Sequence, residues 1–113
     1  MPRKKEEGRL SVDLYETDDE ILILAPVAGS SMEDLSVSVA DDVLTIKGTR
    51  SLSLAPNFEE ISQECFWGDF SRSIILPDSA DTSKVEATFK DNVLKITIQK
   101  KEGSEKPIKI RIE

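Results

Sequence analysis

The chain predicts an all-β fold, an immunoglobulin-like β-sandwich of seven to eight short strands. Three observations carry this. Apolar and polar residues alternate with a period of two through most of the 113 residues, the pattern of strands buried on one face. Polar or Gly/Pro-bearing turns separate these segments at short intervals. No apolar face with a period of 3.6 extends over ten or more residues, so no helix of ordinary length is expected.

Leu10, Val12 and Leu14 alternate with Ser11, Asp13 and Tyr15, which predicts a half-buried strand. Residues 17–20 are a polar turn. Residues 21–25 are apolar at both parities, as in a strand covered on both faces. Pro26 and Gly29 end that run. Residues 30–34 read as a short helical turn or a loop, with Ser at a capping position and acids in the first turn. Leu35, Val37 and Val39 alternate with Ser36 and Ser38 in the next strand. Asp41 and Asp42 turn it into residues 43–47 as a hairpin, without the Gly usual in tight turns, and Gly48 closes the block.

Residues 49–61 are the least regular stretch. Leu52 and Leu54 share a parity that fits a short strand, and Pro56 confines it to a sheet edge or end. Loops this long in compact domains are usually functional or mobile. Residues 63–66 and 70–76 read as one long strand interrupted at Gly68 by a bulge or a bend. After Pro77, residues 78–83 are a polar connection or one helical turn. Val85, Ala87 and Phe89 then alternate with Glu86, Thr88 and Lys90. Asp91 and Asn92 form a two-residue turn, since both types tolerate the left-handed region. Residues 93–99 are the last body strand, with Leu94, Ile96 and Ile98 on one face.

The domain plan is a short polar N-terminal arm (1–9), the sandwich (10–99) and a flexible C-terminal extension (100–113). The extension begins as a charged linker with Gly103, Ser104 and Pro107 and ends Ile108-Lys109-Ile110-Arg111-Ile112-Glu113. Alternate spacing puts Ile108, Ile110 and Ile112 on one side of an extended segment. That segment is either a final strand of the same domain or, given its eight-residue tether, a strand that docks in a groove or along a sheet edge of another subunit. Burying each Ile would contribute about 1.5–3 kcal/mol before ordering costs. Each site would be weak, and many together would hold an assembly.

Composition excludes several functions. Lys and Arg total 15 against 22 Asp and Glu, a net charge of −7, with no His and one Cys. Without His there is no Ser-His-Asp triad, Cys-His dyad or His-ligated metal. One Cys makes neither an internal disulfide nor a CxxC site. Residues 10–99 carry a net −11 between two mildly basic ends, which fits a solubilising acidic surface or a tail that docks on another copy's acidic body. The sequence pI of 4.7 argues against nucleic-acid binding. The basic start lacks the apolar stretch of a signal peptide, and the longest apolar run is far below the ~20 residues of a spanning helix. A soluble cytoplasmic protein with no membrane partner is expected.

Catalytic chemistry has no candidates. The acids at 18–20, 33–34 and 41–42 sit in predicted turns and read as solvated carboxylates. Ca²⁺-loop spacing, GxGxxG, P-loop and GxSxG motifs are missing. Cys65 falls in a predicted strand between Glu64 and Phe66, a setting that does not activate a thiol, and reads as buried and inert. No catalytic residue, cofactor or metal is expected.

Five segments, in order, resemble the small heat shock proteins (the Hsp20-like α-crystallin domain) over roughly residues 9–112. Ala25-Pro26-Val27-Ala28-Gly29, followed by Met32-Glu33-Asp34-Leu35, is similar to the family's Pro-Gly turn ahead of Glu-Asp-Leu. Val43-Leu44-Thr45-Ile46-Lys47-Gly48 resembles its V-L-T-I-x-G strand. Trp67-Gly68-Asp69-Phe70-Ser71-Arg72-Ser73 with Leu76-Pro77 resembles its G-x-F-x-R strand and exit. Ala87 to Leu94 resembles A-x-x-x-N-G-V-L, with Asn92 at the signature Gly. Ile108-Lys109-Ile110 or Ile110-Arg111-Ile112 resembles its terminal I-x-I motif.

The resemblance implies an ATP-independent holdase that binds unfolding client proteins and keeps them from aggregating. It implies a tail of Ile108, Ile110 and Ile112 docking between two edge strands, here Leu35, Val37 and Val39 with Val85, Ala87 and Phe89. The parity lining that groove stays open in the sequence. It implies self-association as a dimer, through a short strand around Leu52 and Leu54 that swaps onto the partner, and as higher oligomers. Arg72 takes the position of the family's strand arginine, which pairs with acids near the dimer interface. The family usually carries a longer apolar N-terminal arm, so the polar residues 1–9 leave client binding to the groove and loop. The alternative is a CS/p23-like sandwich, an adaptor or co-chaperone binding one folded partner; the I-x-I tail and the long loop favour the first reading.

Overall fold

A computed structural model of the chain describes residues 8–102. Two four-stranded sheets pack face to face. Their strands are β1 (Gly8–Arg9), β2 (Asp13–Glu16), β3 (Glu20–Pro26), β4 (Leu35–Ala40), β5 (Val43–Arg50), β6 (Gly68–Ile75), β7 (Ala80–Lys90) and β8 (Val93–Lys100). One sheet has the order β1-β6-β5-β4 and the other β2-β3-β8-β7. All pairings are antiparallel except the two-residue β1–β6 contact. This is the sandwich that the alternation predicts.

The core is the set of inward residues of both sheets. Ile21, Ile23 and Ala25 of β3 lie beside Ile98, Ile96 and Leu94 of β8, facing Leu44 and Ile46 of β5 and Phe70 and Ile74 of β6, and all are buried. Among the described residues no polar or charged side chain is buried. The stabilising term is therefore removal of aliphatic surface from water, about 1.5–3 kcal/mol per large side chain.

Local turn chemistry matches the sequence. Asp91 and Asn92 have φ of 52° and 63°, and Asp41 has φ of 56°. Hairpins favour these positive values because they match the strand twist. The turn after β3 closes in one 3₁₀ turn, Met32–Asp34. The Asp34 carboxylate accepts from the Ser31 hydroxyl at 3.0 Å and from its backbone N–H at 3.4 Å.

Five expectations need correction. The strand expected over Leu10–Tyr15 exists only from Asp13, as β2: residues 10–12 are not strand and run from β1 in one sheet to β2 in the other, and Leu10 is buried while Leu14, on an edge, is exposed. β3 is buried on its inner face alone. Its outward Leu22 and Leu24 are half-buried, flanked by Tyr15 and Thr97 and by Asp13 and Lys95 respectively. Residues 63–66 form no strand and are exposed; β6 begins at Gly68, whose φ of 128° few other residues adopt. Cys65 is accordingly exposed, not buried. Residues 80–83 belong to β7, with a register shift between Ala80 and Val85, and make no helical turn.

Candidate functional site

β1 and β2 are joined by three residues and are edges of different sheets. They stack at one side of the sandwich, which puts the other two edges, β4 and β7, at the opposite side. The residues expected to line a groove are on those two strands. Leu35, Val37 and Val39 stand next to Gly48, Ile46 and Leu44 of β5. Val85, Ala87 and Phe89 stand next to Ile98, Ile96 and Leu94 of β8. All six therefore share the inward parity of the core. Five of them are half-buried and packed against it, while Ala87, with the shortest side chain, is exposed. Both open edges thus carry apolar side chains of inward parity.

The two edges differ. β7 carries Asp81, Lys84, Glu86 and Lys90 and a register shift, devices that discourage a further strand. β4, Leu-Ser-Val-Ser-Val-Ala, has no charge and no Pro, and its outer backbone groups have no strand partner within the described residues. It is the edge best suited to accept an extended segment. The sequence left open which parity of these strands faces inward; long-range pairing with β5 and β8 decides it.

Arg72 sits at the other side of the sandwich. It opposes Ile46 and so points inward, and its Nη1 donates to the Leu10 carbonyl at 3.2 Å. The guanidinium thus holds the crossover of residues 10–12 to β6. Leu52 and Leu54 lie in an irregular arm, residues 51–66, exposed along its whole length. Within the single chain they form no strand. Ile108, Ile110 and Ile112 lie outside the described residues.

Sequence reasoning did not single out Phe58 and Ile61. Phe58 is exposed and Ile61 is 100% exposed, which puts two large apolar side chains on the arm beyond Leu52 and Leu54. The available signal was apolar residues set among Glu59, Glu60 and Glu64 in a stretch without strand or helix period.

Among the described residues the electrostatics single out one shifted group, Asp81. No three or more His, Cys, Asp or Glu among the described residues could together hold a metal ion. The Ser83 hydroxyl donates to the Asp81 carboxylate at 2.6 Å and the Ser83 N–H at 3.0 Å. These bonds, with a smaller contribution from Lys84 and then Lys101, hold Asp81 below the ordinary 3.8. Asp81 is half-buried in the irregular start of β7. No helix among the described residues is long and apolar enough to cross a membrane.

Comparison with known proteins bears on this geometry. The model of the Hsp20/alpha crystallin family matches residues 13–113. The chain is 35% identical over 100 residues to small heat shock protein C4 of Rickettsia felis, covering 87% of this chain and 61% of that protein. It is 34% identical over 103 residues to 18 kDa antigen 2 of Mycobacterium avium, covering 91% and 73%. Among solved structures, heat shock protein 16.0 from Schizosaccharomyces pombe superposes with a TM-score of 0.77 at 28% identity, covering 95% of this chain and 100% of that one. A small heat-shock protein from Xylella fastidiosa, described as having a distinct high order structure, gives 0.75 at 30% identity, covering 92% and 95%.

Proposed function

The chain belongs to the Hsp20/alpha crystallin family, and from that premise we propose that it is an ATP-independent holdase that binds unfolding proteins on apolar surface and keeps them from aggregating. The observation that carries this reading is the apolar side chains of inward parity on two open edge strands, β7 and the uncharged β4, which we take as the walls of one slot. A slot of that kind binds extended apolar segments by backbone pairing and side-chain burial, with little demand on sequence. That suits clients with nothing in common but exposed apolar chain.

Assembly follows the same surfaces. Ile108, Ile110 and Ile112 of one copy dock in the slot formed by Leu35, Val37, Val39, Val85, Ala87 and Phe89 of another, so tail and client compete. The arm around Leu52 and Leu54 exchanges onto a second copy to make the dimer. Arg72 lies at that side of the sandwich, beside the β1–β2 crossover, where a partner's acids would meet it. The division into residues 1–9, 10–99 and 100–113 is then a polar arm, the binding body and the docking extension. A cytoplasmic location suits an acidic chain of this kind.

The test is light scattering of a heat-denaturing client. Equimolar protein should suppress the rise in scattering, with or without ATP. Scattering unchanged up to a molar excess would refute the holdase reading. Deletion of residues 51–58 should yield monomers in sedimentation, and a persisting dimer would refute arm exchange.

A further inference from the structure

Both roots of the 51–66 arm are fastened at one place, the turn that follows β3. The Ser51 N–H donates to the Gly29 carbonyl at 3.0 Å, and the Ser30 hydroxyl to the Thr49 carbonyl at 2.6 Å. Arg50, the last residue of β5, spans the remaining distance. Its Nε donates to the Ala28 carbonyl at 2.7 Å and its Nη1 to the Phe66 carbonyl at 3.4 Å. Its guanidinium lies 5.6 Å from the Phe70 ring centroid, within cation–π range. Gly29, at φ +82°, leaves the space this needs: a Cβ there would stand 2.8 Å from Arg50 Cγ and 3.1 Å from Trp67 Cζ3.

We propose that Arg50 is the positioning residue of the arm, a clamp that joins its outgoing root at β5 to its returning root at Phe66 and so sets how tightly the arm engages a second copy. The proposal rests on the reading that the arm exchanges between copies. Residues 51–66 are largely exposed; the Phe66 ring, 37% exposed, rests close to Gly8 at the returning root, and the stretch between the roots has little burial to orient it. Their direction is set where the chain leaves and re-enters the sandwich. An arm with tied roots explores less volume, loses less entropy on docking and presents Leu52 and Leu54 at a higher effective concentration. Arg suits the position because one planar guanidinium reaches two carbonyls on separate segments while covering an aromatic face. The compact ammonium of Lys keeps the charge but cannot hold that fork.

The experiment uses the full chain with Arg50→Lys. Sedimentation velocity over a dilution series gives the dimer dissociation constant, and hydrogen exchange gives amide protection along the chain. The expected result is a dimer about tenfold weaker, the loss of one charge-assisted bond, with faster exchange at Ser51 and through the arm and unchanged protection in β3 and β8. Gly29→Ala, which displaces Arg50 and also strains the turn at φ +82°, should weaken the dimer at least as much. A dissociation constant within about twofold of the parent, or protection lost equally across the sandwich, would overturn the clamp. The 51–58 deletion separates the two ideas. If it leaves dimers, arm exchange is wrong and the clamp has nothing to position. If it gives monomers while Arg50→Lys dimerises normally, the clamp alone is wrong.

Discussion

Gly48 couples the core to the β4 edge, and Gly48→Ala should expose that coupling. Gly48 lies on the inner face of β5, opposite Leu35 of β4 and Phe70 of β6. A Cβ there would stand 2.5 Å from Phe70 Cζ and 2.8 Å from Leu35 Cδ2, so a side chain must move. Phe70 is 3% exposed and enclosed by the core, whereas Leu35 is half-buried on an edge strand. Leu35 therefore gives way toward solvent, which lets the Phe70 ring tilt. Overpacking of this kind costs about 1–3 kcal/mol, offset by about 0.5–1 kcal/mol from replacing Gly within a strand. The net is a loss of about 1 kcal/mol, a fall in Tm of about 4–8 °C for a domain of this size. Thermal unfolding at one fixed protein concentration reads it, since association shifts Tm by mass action. In a Leu35→Ala background the space already exists, so the cost of Gly48→Ala should shrink by about 0.5–1 kcal/mol, the coupling expected of touching residues. An unchanged or raised Tm, or the same cost in both backgrounds, would refute the packing argument.

Three further outcomes are expected. Asp91→Val puts a β-branched residue at φ 52° and should cost about 1–2 kcal/mol in urea unfolding, whereas Asn92→Gly should leave stability unchanged or raise it. Asp81 should titrate by NMR below the ordinary 3.8 because Ser83 donates to its ionised form; its contribution to stability is present above the unfolded value and lost as pH falls through the folded one. Ser83→Ala should move that midpoint up, and no movement would count against the assigned bonds. Changing Ile108, Ile110 and Ile112 together to Ala should deplete species above the dimer in a native mass measurement, and an unchanged distribution would remove the docking role.

Much of the fold is legible locally. The β8 face of Leu94, Ile96 and Ile98 follows from period two, and all three are buried. The hairpin at Asp91 and Asn92 follows from the tolerance of those residue types for positive φ. Reasoning by alternation fails where the chain changes sheet. Leu10, Val12 and Leu14 have the spacing of one strand, but the pattern does not record that residues 10–12 leave one layer for the other. It fails again at residues 63–66 and Cys65, where a plausible strand composition finds no neighbouring strand to pair with and stays in solvent. The apolar run Ile21–Ala25 misleads for a related reason: Leu22 and Leu24, flanked by Tyr15, Thr97, Asp13 and Lys95 of their own sheet, are half-buried without a second layer.

The candidate site divides the same way. Its residue types were visible as Leu35, Val37 and Val39 and as Val85, Ala87 and Phe89, because each strand's alternation is local. That these two triplets could face one groove came from the family resemblance and not from alternation, because they lie far apart in the chain and their common inward parity is set by pairing with β5 and β8. Arg50 was invisible altogether, since its partners Ala28, Phe66 and Phe70 belong to three separate segments. What the sequence by itself determined are the terms decided within a few residues: side-chain period, turn preference, charge, and the chemistry that a chain without His excludes. The tertiary structure alone decided which edges remain open and which polar groups tie distant segments. Those depend on burying the apolar faces of two sheets at once, and that burial has no expression at the scale of one strand.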